Sequence, residues 1–229
     1  MKKLLIIFGI LILVIVLANA LYHSPLNQVK GEYRYKITVN VQTPEGIKSG
    51  STVRLVKDQE RKYQLINLPE STSPPSIYGE AVVVDLGAKG KLFGLINSNS
   101  YRELFAATPH GTSGSATIEG IKYYNSLEVG NKYYLKIKGY WPDFVMFEDL
   151  SDPMSIKAVN KENISEQLGA GYSIYNIEIE VVDEPFTYNV DSAILFDLDT
   201  LLLNWRDLTL DERKKNTALQ YLKKEKKNE

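Results

Sequence analysis

Cysteine is absent from all 229 residues. That excludes disulfide staples, a thiol nucleophile, a cysteine-ligated metal and a lipid-modified cysteine anchor. Histidine occurs only at His23 and His110, without H-x-x-H or H-E-x-x-H spacing, so a zinc site would rest on His110 and carboxylates alone. No glycine-rich phosphate cradle is present, and the alternating acids of a calcium loop are reduced to the fragment Asp197-Leu198-Asp199. Positive charge is not in excess either, with 27 Lys and Arg against 28 Asp and Glu. The first 20 residues hold Lys2 and Lys3, and the stretch after residue 210 holds 7 basic and 4 acidic groups. The body between keeps 18 basic against 24 acidic, which argues against nucleic acid as a partner.

What is present describes a folded chain, 44% hydrophobic and 10% aromatic, large enough to bury a core without covalent staples. Met1-Lys2-Lys3 precedes fourteen uncharged residues, 4–17, and then Ala18-Asn19-Ala20. A cationic start, an apolar segment and an A-x-A triplet form a secretory signal. Extended through Leu21 the apolar run reaches 18 residues, close to the length of a bilayer-spanning helix, so residues 1–20 read as a signal peptide or a signal anchor. Either way the leading lysines stay cytoplasmic and the rest is sent outward. The expected location is periplasmic, or anchored in the inner membrane with the body facing the periplasm. Past the cleavage triplet, His23 is expected to lack order.

Tyr33, Tyr35, Ile37, Val39 and Val41 alternate with polar residues, the period of a half-buried strand. Thr43-Pro44-Glu45-Gly46 then reads as a tight turn into a second run carrying Val53 and Leu55, which together predict a hairpin. The unbroken Ala81-Val82-Val83-Val84 and the later Leu92-Phe93-Gly94-Leu95-Ile96, separated by Gly87-Ala88-Lys89-Gly90, predict a hairpin with a strand buried on both faces. Tyr133, Leu135 and Ile137 predict one further strand, and Tyr175, Ile177, Ile179 and Val181 another.

Helical signals are short: capping boxes at Ser100-Tyr101-Arg102-Glu103 and at Asn163-Ile164-Ser165-Glu166, and Ile118, Ile121 and Tyr124 after a cap at Ser115 or Thr117. A final helix starts near Thr209, bears Ala218, Tyr221 and Leu222 on one face, and ends among lysines as a solvated, frayed terminus. Ser71-Thr72-Ser73-Pro74-Pro75-Ser76 reads as a loop rather than a domain boundary. The expected fold is mainly β: one sandwich-like domain of about seven to nine strands with a few short helices. A juxtamembrane segment fills 21–30, the β-rich domain 31–190, and a C-terminal segment with its charged helix 191–229.

Val41-Gln42-Thr43-Pro44-Glu45-Gly46, Ser49-Gly50-Ser51, Gly79-Glu80-Ala81-Val82 and Asp85-Leu86-Gly87 carry a resemblance, which resumes at Asp152-Pro153, Gly169-Ala170-Gly171, Glu184-Pro185 and Thr187. In these motifs the chain resembles a family of proteobacterial-type envelope proteins, exported or membrane-anchored and of unknown function, that open with a membrane-proximal apolar segment. The stretch after Thr187, with Leu201-Leu202-Leu203-Asn204-Trp205, departs from that pattern. The resemblance implies an exported single domain and assigns no chemistry.

Each candidate for chemistry meets a plainer explanation. His110-Gly111-Thr112-Ser113-Gly114-Ser115 lacks the G-x-S-x-G elbow of a hydrolase and reads as a polar loop. Glu178 and Glu180 on one strand face lie about 6.6 Å apart, near the separation used by inverting glycosidases, but any wet strand face gives this spacing. Asp85 reads as a pocket acid or as a turn-forming residue. Tyr123-Tyr124, Tyr133-Tyr134 and Tyr140-Trp141 suit either core packing or a platform for glycans or a protein partner. No catalytic, cofactor-binding or metal-ligating residue is assigned, and no cofactor is expected. The expected role is a non-catalytic binding or organising β domain, with an envelope protein or glycan as partner. The alternatives are a carboxylate-dependent hydrolase of envelope polysaccharide and an accessory factor of a membrane complex.

Overall fold

The computed structural model describes residues 2–62, 74–112, 117–186, 190–195 and 210–224. Two strands of sixteen residues each, β1 (Gln28–Thr43) and β2 (Gly46–Arg61), form a hairpin in unbroken register from Gln28↔Arg61 to Thr43↔Gly46. The two-residue turn Pro44-Glu45 fixes that register: Thr43 Oγ1 accepts from Glu45 N–H (3.2 Å) and donates to Gly46 O (2.7 Å), while Gly46 takes φ +121°, open to glycine. Around the hairpin, β3 (Ser76–Glu80), β6 (Lys132–Tyr134), β9 (Ser173–Val181) and β10 (Lys223–Lys224) complete a six-stranded sheet in the order β10-β3-β2-β1-β9-β6. A second sheet, β4-β5-β7-β8, holds Val82–Asp85, Lys91–Gly94, Phe144–Phe147 and Ile156–Val159. Every strand pair is antiparallel. The fold is mainly β and sandwich-like.

The chain passes from one sheet to the other through a single residue. β3 pairs with β2, Ala81 follows, and β4 pairs with β5. At the crossing Gly50 of β2 touches β4 so closely that a Cβ there would fall 1.9 Å from Val83 O. Between the sheets, Tyr35, Ile37 and Val39 of β1 meet Val82, Val84, Leu92 and Phe144, with Ile177 and Ile179 from β9. Tyr33 extends this core towards Phe105 of α2 (Arg102–Ala107) and Tyr124 of α3 (Ile118–Asn125), in tilted and edge-on ring contacts.

Ala81, Phe93, Leu95, Val145, Phe147 and Ile156 form a second core on the far face of the short sheet, so β5 and β7 are buried on both sides, and β4 largely so, as the apolar run at 81–84 predicts. The C-terminal segment covers this face. Val190 and Ile194 pack here, and beyond them α5 (Leu210–Gln220) adds Leu219 and, just past its end, Leu222, both fully buried. The expectation of a frayed, solvated end is corrected: each of these two leucines contributes about 1.5–3 kcal/mol. Hydrogen bonds from Ala81 N–H to Leu222 O (2.7 Å) and from Ile96 N–H to Tyr221 O (2.7 Å) strap the end across the crossing between sheets.

Other expectations change with local geometry. Tyr175 is 61% exposed because the register of β1 and β9 shifts at Asn40/Val41, and Ile174 takes the inward position instead. β6 stops at Tyr134. Leu135 still points inward, but Ile137 is exposed as the chain enters the 3₁₀ turn Lys138–Tyr140. The capping box at Ser100 does not form: Ser100 N–H donates to Asn97 O, Tyr101 holds the cap position, and Glu103 turns inward. Thr117 does cap α3, accepting from Gly120 N–H (3.0 Å). α4 (Ser165–Leu168) ends at Gly169 with φ +99°. β3, β7 and β8 carry no alternation long enough to be read in advance. Residues 71–73, Ser113-Gly114-Ser115, Asp197-Leu198-Asp199 and Leu201 to Trp205 lie outside the described residues.

Residues 2–23 form one helix, α1 (Lys2–His23), that runs unbroken through Ala18-Asn19-Ala20. Its span Ile6–His23 has mean hydropathy 2.5 and no burial, long and apolar enough to cross a membrane. His23 closes α1 and packs edge-on against Tyr22. Replacing Gly50 by Ala is expected to lower stability by about 1–3 kcal/mol, since the facing atom is backbone and cannot step aside. Gly139, with open space around it, serves as the control, and Gly139→Ala is expected to leave the urea midpoint unchanged.

Candidate functional site

Polar chemistry gathers in three places: beneath the crossing between the sheets, in a cavity beside it, and in an aromatic pocket under α3. The first was not legible in sequence. Because the turn fixes the register, Arg54 stands opposite Tyr35, and with Thr52 and Val56 it faces the inter-sheet core, while Val53 and Leu55 are buried on the other face of β2. Arg54 is fully buried, and its fork is saturated. Nη1 donates to both Glu103 oxygens (2.7 and 2.5 Å), Nε to Glu80 O (3.3 Å), and Nη2 to Gly94 O (3.2 Å) and Leu95 O (3.4 Å). Tyr35 donates to Glu103 Oε2 (2.8 Å), with Ser100 O 3.1 Å away. The carbonyls of Glu80, Gly94 and Leu95 lie at or just past strand ends, and one guanidinium donates to all three.

Burial pushes the Tyr35 hydroxyl well above its ordinary range, reinforced by the Glu103 charge. Burial also raises the Glu103 carboxyl, against the opposing pull of Arg54. Arg54 itself stays charged: burial opposes the charge, but the adjacent carboxylate carries its pKa above the ordinary value. Hydrogen bonds from Arg54 Nη1 to both Glu103 oxygens and from Tyr35 to Oε2 oppose the effect of burial on that carboxylate.

The cavity, about 320 Å³, opens beside β4 and is lined by Ser51, Glu80, Asp85, Lys91 and Ser192 among Ala81, Val83, Val190 and Ala193. Its acidic and basic groups are engaged by the protein. Glu80 accepts from Thr52 Oγ1 (3.3 Å) and from Val190 N–H (2.5 Å), Lys91 Nζ donates to Ala193 O (3.2 Å), and Asp85 Oδ1 accepts from Gly87 N–H (2.8 Å). Asp85 therefore forms the turn expected of it and also lines the cavity.

In the aromatic pocket His110 stacks on Tyr123 with ring centroids 4.7 Å apart, and its Nε2 is buried with no hydrogen-bond partner. Asp58 is buried nearby. Burial, with the Asp58 charge as a second cause, pushes the Tyr33 hydroxyl well above its usual range, and Tyr124, also chiefly by burial, is pushed up to about 12. Tyr124 is core, whereas Tyr134 is half exposed. Glu178 and Glu180 sit on the outer sheet face as rungs of an ion ladder: Glu178 with Lys132 (3.0 Å), and Glu180 with Lys36 (3.2 Å) and Lys132 (3.6 Å). The Lys36 hydrogen bond holds the Glu180 carboxyl below its ordinary value. Among the described residues no group of three or more His, Cys, Asp or Glu is placed to hold a metal ion.

Comparison of this chain with protein-family models, with curated proteins and with solved structures finds no match.

Removing one partner of the buried pair strands the other. Arg54→Met or Glu103→Leu alone is expected to cost about 3–5 kcal/mol, and the double variant to recover part of that loss, in a double-mutant cycle read by urea denaturation. The tyrosines set an alkaline limit. Their folded pKa values lie above the ordinary tyrosine value of about 10, so their contribution to stability is full below about pH 10 and is lost as pH rises through the folded values. Tyrosinate absorbance from Tyr33, Tyr35 and Tyr124 is expected to appear together with loss of the sheet signal in circular dichroism, and Tyr33→Phe is expected to remove one equivalent from that step.

Proposed function

We propose that this chain is an envelope protein held at the inner membrane by α1, with a β domain on the outer side that binds or organises other envelope components without turning them over. The observation that carries the reading is the span Ile6–His23: apolar, unburied, and joined to the first strand by one short turn. Lys2 and Lys3 ahead of it favour a cytoplasmic start and an outward body. The resemblance to proteobacterial-type envelope proteins agrees with this placement, and the lack of cysteine leaves nothing for an oxidising compartment to cross-link. A binding role is favoured because the buried polar groups answer one another: Arg54, Glu103, Tyr35 and Glu80 hold the crossing together rather than present themselves to a ligand.

One observation favours a second reading, a carboxylate-dependent hydrolase of envelope polysaccharide: Glu80 and Asp85 line one cavity together with Lys91. A periplasm-dependent reporter fused after Glu229 is expected to be active, and the full chain is expected to resist alkaline extraction from membranes. An inactive reporter overturns the outward placement. With the purified chain and envelope polysaccharides, binding without release of reducing ends supports the first reading. Turnover abolished by Glu80→Gln or Asp85→Asn replaces it with the second.

A further inference from the structure

α1 and the sheet are not joined by a slack linker. α1 stops at His23, a 3₁₀ turn at Pro25–Asn27 follows with Ser24 accepting from Leu26 N–H (3.2 Å), and β1 begins at Gln28. This turn is tied on both sides. Asn27 Nδ2 donates to Tyr22 O (3.2 Å), and Lys62 N–H donates to Asn27 O (2.8 Å). Gln28 pairs with Arg61, so the open end of the hairpin is the end that meets the helix. There the Arg61 guanidinium lies over the Tyr22 ring, 4.2 Å from its centroid, and donates to the Tyr22 hydroxyl. Together these links hold the hairpin end level with the helix end.

That level is set by length. The 18 mostly apolar residues 4–21 rise about 27 Å at about 1.5 Å each, close to the ~30 Å hydrocarbon layer, which leaves Tyr22 at the interface where such rings collect. At the same level Leu26 is 82% exposed, more than any other large hydrophobic side chain described, and Leu21 is 70% exposed. Lys30, Arg61 and Lys62 flank them in sequence and register. The nearest acid, Glu60, faces away from this role: one oxygen accepts from Arg61 N–H and the other is buried. An exposed leucine among cations, beside an aromatic cap, has the composition of an interfacial lipid contact.

We infer that the open end of the β1–β2 hairpin, with Leu26 at its centre, rests in the phospholipid headgroup layer of the membrane that α1 crosses, and that Lys30, Arg61 and Lys62 meet lipid phosphates. The inference rests on the reading of α1 as a retained anchor. It gives the domain a fixed attitude, with β1 carrying the Pro44-Glu45 turn away from the lipid over about 50 Å of strand.

The native chain has no cysteine, so single labels are unambiguous. Full-length Leu13→Cys, Leu26→Cys and Ile47→Cys chains, each carrying a polarity-sensitive fluorophore, are placed in nanodiscs of phosphatidylcholine with or without phosphatidylglycerol, with bromine on the lipid chains at shallow or deep positions. The expected result is deep quenching at position 13, loss of most fluorescence to shallow bromine at position 26, and none at position 47. Removing Lys30 and Lys62 as Lys30→Ser/Lys62→Ser is expected to abolish any gain in quenching at position 26 from phosphatidylglycerol, with circular dichroism confirming the fold. Quenching at 13 without quenching at 26 overturns the inference and leaves the anchor standing. Equal quenching at 26 and 47 also overturns it, because the domain then lies flat. Absence of quenching at 13 overturns the anchor itself.

Discussion

Arg54 lies where the two sheets part, and the arrangement of everything around it depends on how that charge is satisfied. Where a strand crosses from one sheet to the other, the backbone carbonyls buried at the corner need hydrogen-bond donors. Here those carbonyls, on Glu80, Gly94 and Leu95, all receive hydrogen bonds from one guanidinium. The charge that makes the fork a strong donor must be balanced in a dry place, and Glu103 from α2 does so with Tyr35 as a second donor. A pair of this kind adds little net stability over a well-packed apolar substitute, but the cost of breaking it is high. It therefore specifies: α2 can dock only where Glu103 reaches Arg54, and β5 only where its last carbonyls reach the same fork.

The second constraint is the far face of the short sheet. A four-stranded sheet with apolar side chains on both surfaces needs a cover on each. The hairpin sheet supplies one. The other comes from the C-terminal segment, whose Leu219 and Leu222 complete a core that the strands alone leave open. The cover is fastened at the same corner, through Leu222 O to Ala81 N–H, and Val190 N–H closes onto the Glu80 carboxylate. One small region thus joins both sheets, a helix and the chain end, and the cavity beside it is bounded by groups already committed to that task.

At the opposite end of the hairpin the same economy of contacts joins the apolar helix to the domain. Tyr22, Asn27, Arg61 and Lys62 form a short hydrogen-bonded knot that joins the apolar helix to the sheet. The ends of the hairpin differ accordingly. One is tied to helix and cations, while the other carries a tight turn with Ile47 exposed.

The sequence by itself determined whatever depends on period and on neighbours along the chain. Alternation from Tyr33 to Val41 and from Ile177 to Val181 specified strands, Pro44-Glu45-Gly46 specified the hairpin, and residues 4–21 specified an apolar helix, because side-chain periodicity and turn chemistry are local. Tertiary structure alone decided which polar residues go inside. Arg54 sits in an alternating run whose apolar members, Val53 and Leu55, are buried on the opposite face, so only the register against Tyr35 sends it into the core. Glu103 resembled a capping residue until a partner 49 positions away drew it inward. Leu219 and Leu222 looked like the frayed end of a charged helix because the surface they cover is built from strands more than sixty residues earlier. The physical reason is the same in each case: burial of a charge or of a lone apolar pair is favourable only when a distant partner is already in place, and distant partners leave no trace in local pattern.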